Sequence, residues 1–217
     1  MHRLLALPLA LGLLLSWPGA VLAGQTAAGW QWRQNGYGGG GRFTAVAFDA
    51  RDPATVYVGS DVAGFFRSHD AARSFTPLGR DLTGLAVADI LSTPDDGLLI
   101  LTDNGLFASD DQGETQHSVS AELRYADRQP GSRLLLPAPD GGYFVATDDL
   151  GLFRVVRDAG TWRVEPLGLV GLKINGLALW EGRLYVATEQ GVRRLEKDAF
   201  VRVNQGLPGP DARVTDI

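Results

Sequence analysis

Apolar residues in this chain fall in short runs separated by turns, with no sustained helical stripe. Four strings carry the pattern: VYVGSDVAGFF at 56–66, LLILTDNGLF at 98–107, YFVATDDLGLF at 143–153 and LYVATEQGV at 184–192. In each, an apolar run leads into an acid and a glycine, and a second apolar run follows, which predicts two antiparallel strands around a tight turn. The acids are Asp61, Asp103, Asp148 and Glu189, spaced 42, 45 and 41 residues apart. Each string is preceded by a further apolar segment (FTAVAF, VADILS, RLLLPA, INGLAL) and followed by another (SFTPL, TQHSV, TWRVEP, FVRVN). Each unit therefore holds four strands. Runs that are apolar at successive positions fit strands buried on both faces.

Four strands repeated at this period are the signature of propeller blades. The predicted fold class is all-β: a β-propeller of four-stranded antiparallel blades, with about four blades present over approximately 41–82, 83–126, 130–170 and 171–209. A parallel β-helix has shorter coils, and a sandwich has no internal period of this length. The segment ARVTDI near the C-terminus reads as the first strand of a further blade (211–217), and WQWRQ at 30–34 resembles an outer strand awaiting partners. The expectation is the N-terminal part of a larger propeller. A closed four-bladed ring is the alternative, and it would leave ARVTDI surplus. Ahead of the repeats, MHR, then LLALPLALGLLLSW, then VLA before Gly24 predict a signal peptide over 1–23 and a propeller domain over 24–217. The expected location is secreted or periplasmic.

Composition narrows the chemistry. The net charge of −5 and pI near 5.2 give no basic footprint, so neither nucleic acid nor, after signal cleavage, a membrane is an expected partner. There is no cysteine among the 217 residues, so stability must come from packing and no thiol chemistry is available. No cofactor or metal site is predicted. The GGGG run at 38–41 lacks the lysine and helix of a phosphate loop, and His69 and His117 sit in or beside turns with no serine and acid at useful spacing. Trp30, Trp32, Tyr37 and Phe65 could stack on sugar rings, but core packing is the simpler duty for each.

Two turn segments, SHDAARSF at 68–75 and SDDQGETQ at 109–116, resemble the Asp-box, Ser-x-Asp-x-Gly-x-Thr-Trp, of BNR-repeat propellers. Ser68, Asp70, Ser74 and Phe75, and Ser109, Asp111, Gly113 and Thr115, are expected to shape turns through acid-to-backbone hydrogen bonds beneath a covering aromatic. Ala72 stands where the pattern has glycine, Gln116 where it has an aromatic, and RDAGTW at 157–162 keeps Asp158, Gly160 and Trp162 but is one residue short. Residues 38–67 further resemble the first blade of glycoside hydrolase family 74 xyloglucanases, through the glycine run, a Tyr four residues before Asp61, Gly64 and Arg67. That resemblance implies Asp61 as a catalytic base of an inverting mechanism. Ala63 replaces a family glycine, and the partner acid, which the family carries on a second propeller, has no counterpart here. Sialidases share the Asp-box but also carry an Arg-Ile-Pro motif, which this chain lacks.

The functional expectation is a module binding a polysaccharide or another protein. The alternatives are the N-terminal part of a xyloglucanase-like hydrolase acting through Asp61, and a propeller-type assembly or scaffold factor. Asp103, Asp148 and Glu189 are candidate ligand-binding residues: with Asp61 they would form a negative collar able to attract a cation or hold sugar hydroxyls. The simpler reading has each carboxylate bonding its own turn.

Overall fold

The computed structural model describes residues 41–95, 97–126, 132–209 and 211–217. The expected signal peptide, WQWRQ, Trp30, Trp32, Tyr37 and the first three glycines of the 38–41 run lie outside these described residues. Within them every regular element is a strand, and the strands form four four-stranded antiparallel sheets, each connected in simple chain order. The first blade is β1 (Phe43–Phe48), β2 (Val56–Ser60), β3 (Phe65–Ser68) and β4 (Thr76–Leu78); the second is β5 (Val87–Ser92), β6 (Leu98–Thr102), β7 (Gly105–Ser109) and β8 (His117–Ser120). The third is β9 (Leu135–Pro137), β10 (Tyr143–Ala146), β11 (Leu152–Asp158) and β12 (Thr161–Gly168); the fourth is β13 (Ile174–Trp180), β14 (Arg183–Thr188), β15 (Gly191–Glu196) and β16 (Ala199–Arg202). The inner and outer strands expected for the four units are present, whereas ARVTDI, expected as the first strand of a further blade, forms no strand.

The blades pack on one another in chain order: β1 and β2 against β5, β5 against β9, and β9 and β10 against β13. Blade two shows why its apolar runs are continuous. Alternate residues of β6 and β7 enter different cores: Leu98, Ile100 and Phe107 join Tyr57 and Phe65 of blade one, while Leu99, Leu101 and Leu106 join Val145, Leu152 and Leu177 of the later blades. A leucine buried this way contributes about 2 kcal/mol of transfer free energy, and the polar residues buried in these strands, such as Thr102 and Ser109, are hydrogen-bonded.

Directional contacts join the inner strands. Thr44 Oγ1 donates to the Val87 carbonyl across the first junction (2.5 Å), and Leu177 N donates to the Arg133 carbonyl across the third (2.8 Å). The second junction is made by Asp89 on β5. Its Oδ2 accepts the N–H groups of Leu134 (2.7 Å) and Leu135 (2.9 Å), and its Oδ1 accepts that of Ile90 (2.9 Å). Burial pushes the Asp89 carboxyl up to about 6, against the opposing pull of these N–H groups and of Arg133.

At the outer end of the third strand in blades one and two lies a side-chain-built turn. In blade one Asp70 Oδ1 accepts the Ser74 N–H (2.8 Å), Asp70 Oδ2 the Ser74 hydroxyl (2.7 Å), and Ser68 Oγ the Ala72 N–H (2.9 Å). Blade two repeats this with Asp111 and Thr115 (2.9 and 2.7 Å) and with Ser109 and the Gly113 N–H (2.8 Å). The Ser74 and Ser68 bonds hold Asp70 far below the usual carboxylate range; at Asp111 partial burial pushes upward, but the Thr115 bonds outweigh it and the net shift is down. Phe75 is exposed, whereas Gln116 is buried and bonds the Gly113 carbonyl, so an amide seals the second turn where an aromatic was expected. The third unit departs from the expected pattern. Asp158 pairs with Thr161 around Ala159 (φ 46°) and Gly160 (φ 85°), a two-residue hairpin whose two left-handed residues match the strand twist. Being one residue short, RDAGTW closes a hairpin instead.

The second turn is also gripped by both neighbouring blades. Arg67 of β3 donates to the Gln112 carbonyl (2.8 Å) and to Glu114 (2.5 Å), and Arg157 of β11 makes a two-pronged ion pair with Asp110. Gly113 has φ 89°, and a Cβ there would lie 2.8–2.9 Å from the ring of Phe65. Ala72 occupies the same turn position at φ 63°.

Two outcomes follow. Ala72→Gly relieves a left-handed alanine and should stabilise by about 0.5–1 kcal/mol, while Gly113→Ala should cost at least about 2 kcal/mol; urea unfolding measures both. The folded-state pKa of Asp89 lies above its unfolded value of 3.8, so the folded protein holds an extra proton between about pH 4 and 6. Stability should therefore fall as pH rises through that window, by up to about 3 kcal/mol, and level off above it. Asp89→Asn should abolish that slope in unfolding curves taken across the same pH range.

Candidate functional site

Each β2-type strand ends in a turn at the opposite end of the blade from the Ser-x-Asp turns, because both flank the same third strand. The four repeat acids lie in these turns and are half-buried. The work inside the turn falls to the residue before each acid. Thr102 Oγ1 donates to the Gly105 carbonyl (2.9 Å), Thr147 Oγ1 to Gly151 (2.7 Å) and Thr188 Oγ1 to Gly191 (2.7 Å). The Thr102 and Thr188 hydroxyls also accept the N–H groups of Asn104 and Gln190, and Ser60 Oγ accepts that of Val62 (3.3 Å).

Three of the four carboxylates reach elsewhere, which corrects the simpler reading that each bonds its own turn. Asp61 Oδ1 accepts the Arg42 N–H (2.7 Å), and the Asp61 N–H returns to the Arg42 carbonyl (3.0 Å). Gly41 is pressed against the same carboxylate: a Cβ there would lie 2.7 Å from Asp61 Oδ1. Asp148 Oδ2 accepts the Ala126 N–H (2.8 Å), and Glu189 takes Asn175 Nδ2 (3.3 Å) and Arg213 Nε (3.1 Å). The physical reason is reach. The Thr or Ser hydroxyl is already seated over the turn, so the next side chain points out and ties down the backbone leading into or lying beside the inner strand.

The collar also resolves into parts. Asp103 and Asp148 line one open cleft of about 530 Å³ together with Arg124, Ala126, Asp149 and Lys173. Asp61 is tied to Arg42 and Glu189 to Arg213, apart from that lining. Among the described residues no group of three or more His, Asp or Glu side chains could hold a metal ion. The segment beside the cleft is fixed by Tyr125: its N–H donates to the Thr102 carbonyl of blade two (2.9 Å) and its hydroxyl to the Ile174 carbonyl of blade four (2.6 Å). Arg124, Tyr125 and Lys173 lie in connections between strings, where the repeat gives no register, and Asp149 follows the repeat acid at a position where the other strings carry Val62, Asn104 and Gln190.

Of the other expected residues, Phe65 is fully buried in the core and His69 is an exposed turn residue bonded to Thr55.

No protein-family model and no curated protein matches the chain. Solved structures do. An extracellular domain of a two-component system from B. thetaiotaomicron superposes with a TM-score of 0.62 at 16% identity, over 80% of this chain and 23% of that one. A glycoside hydrolase family 74 enzyme from Niastella koreensis gives 0.59 at 15% identity, over 76% and 30%. YCF48 bound to D1 peptide gives 0.51 at 14% identity, over 78% and 53%. The class is therefore an all-β propeller of four-stranded blades, and the chain spans about a quarter to a half of the length of these structures.

The division of labour in the turns has a direct test. Thr147→Val removes one of the two donors to the Gly151 carbonyl, leaving the Thr147 N–H (3.1 Å), and should cost about 1 kcal/mol in chemical denaturation. Asp148→Asn keeps an acceptor oxygen for the Ala126 N–H and should cost less than half as much.

Proposed function

We propose that the chain is a secreted or periplasmic binding module of the Asp-box (BNR) type, and that it receives an extended segment of another protein in the cleft between Asp103 and Lys173. The observation that carries this reading is the lining. Three carboxylates, Asp103, Asp148 and Asp149, face two cations, Arg124 and Lys173, in one open mouth whose described lining holds no aromatic platform. Charges of both signs suit a peptide bearing both acidic and basic groups, whereas sugar rings are usually held by stacking. Of the solved relatives, YCF48 is seen with a peptide and the B. thetaiotaomicron domain is extracellular, which supports a binding role and export. The expected 1–23 signal peptide points the same way.

A second reading is favoured by the family 74 structure and by the first-blade resemblance: a polysaccharide ligand, with Asp61 as one catalytic carboxylate of a longer hydrolase. Inverting hydrolysis needs a second carboxyl roughly 6.5–9.5 Å away with room for water between.

Calorimetry separates the two. Peptides alternating Lys and Glu should bind the 217-residue chain, weaken markedly in high salt, and lose about tenfold in affinity on Asp149→Lys or Arg124→Glu. Xyloglucan oligosaccharides should give no heat. Xyloglucan cleavage that disappears in Asp61→Asn would replace the binding reading with the hydrolytic one.

A further inference from the structure

The first and third blades share one cross-strand pair near the end where the Ser-x-Asp turns lie. Gly-Phe-Phe-Arg at 64–67 matches Gly-Leu-Phe-Arg at 151–154, and each arginine lies opposite an aromatic in the same register, Arg67 opposite Tyr57 and Arg154 opposite Phe144. At the first junction the chain covers this pair itself. Blade two extends residues 110–116 between β7 and β8, Arg67 donates to the Gln112 carbonyl and to Glu114 of that turn, and Arg67 is buried.

Blade four has no such turn. Lys197 and Asp198 alone join β15 to β16, with Lys197 at φ 53°. An open groove of about 570 Å³ lies between blades three and four, walled by Arg154 and the 197–198 hairpin. Its floor is apolar, with Phe144 and Leu167 from blade three and Leu179, Leu184 and Leu195 from blade four. With no turn to grip, Arg154 folds back onto its own blade, to the Gly141 carbonyl (2.7 Å) and the Asp140 carboxylate (3.1 Å). The rim acids Asp140 and Glu196 are engaged by Arg154 and Arg194. Exposed Arg183 and Lys197 have no ion-pair partner among the described residues, and with Asp198 they leave the mouth net positive.

We propose that this groove is a docking site for an acidic, glycine-centred turn of another protein, of the Gln-Gly-Glu kind that blade two sets against blade one. The glycine lets the backbone of the turn approach the apolar floor, and its carboxylate pairs with Lys197 and Arg183. The rest of the row cannot supply the occupant, because each blade packs only on its neighbours. A second copy cannot supply it either, since its own 110–116 turn is held by Arg67 and Arg157. The groove lies at the opposite end of the blades from the charged cleft and does not rest on the reading of that cleft.

The test titrates the 217-residue chain with a head-to-tail cyclic peptide carrying residues 109–116, Ser-Asp-Asp-Gln-Gly-Glu-Thr-Gln, and follows the amide shifts of 181–183 and 195–199. The peptide should bind with millimolar affinity. Lys197→Glu or Arg183→Glu in the chain, or Glu114→Ala in the peptide, should weaken binding about tenfold, with the melting temperature of the chain unchanged. Replacing Lys197–Asp198 by residues 110–116 fills the groove and should abolish the shifts. Asp149→Asn, in the charged cleft, should leave them as they are. No shift at millimolar peptide, or equal affinity for wild type and Lys197→Glu, overturns the proposal. Octanoate moving the same amides when the peptide does not overturns the turn in favour of a small amphipathic anion.

Discussion

Apolar faces alone cannot fix how one blade sits on the next, because hydrophobic contact is non-directional and a one-residue slip would still bury area. The buried carboxylate of Asp89 removes that freedom. Its two oxygens receive three N–H groups from two inner strands, so blade three can meet blade two in one register only. Burial opposes ionisation strongly enough to raise the carboxyl, and a buried acid left without donors would cost several kcal/mol more. The junction exists because its donors are supplied completely. Thr44 performs the reciprocal act, giving a hydrogen to the inner strand of the next blade, and Asn175 gives one to the Val214 carbonyl.

With the inner strands locked, the turns at one end of the blades fall into a fixed arrangement, and the cleft follows from it. Tyr125 shows the dependence: its backbone bonds blade two and its hydroxyl blade four, so Arg124 and Ala126 are set between them. The cations at that mouth, Arg124 and Lys173, come from connections, while the repeat strings supply the carboxylates Asp103, Asp148 and Asp149.

Much of the fold was legible in the sequence because its signals are local. Alternate residues of LLILT enter different cores, which a continuous apolar run announces, and the acid-glycine steps mark the turn between the second and third strands of each blade. The site was less legible. The carboxylates were assigned to their own turns, but a Thr hydroxyl is shorter and already in place, and sequence does not rank two neighbouring acceptors. Asp89 in VADILS carries no local signal, because its partners lie 45 and 46 residues on. Arg67 and Arg157 were opaque for the same reason, each meeting the 110–114 turn 47 residues away.

That shared turn has a meaning for how the repeats can diverge. Units copied from one ancestor begin equivalent, but position in the row decides what each may later lose. The first turn has accepted an alanine in place of its glycine, whereas Gly113 is wedged against Phe65 and its flanks are held by arginines from both sides. A change tolerated at one copy is therefore not transferable to the next. A substitution in the 110–114 turn must suit the contacts of three blades together.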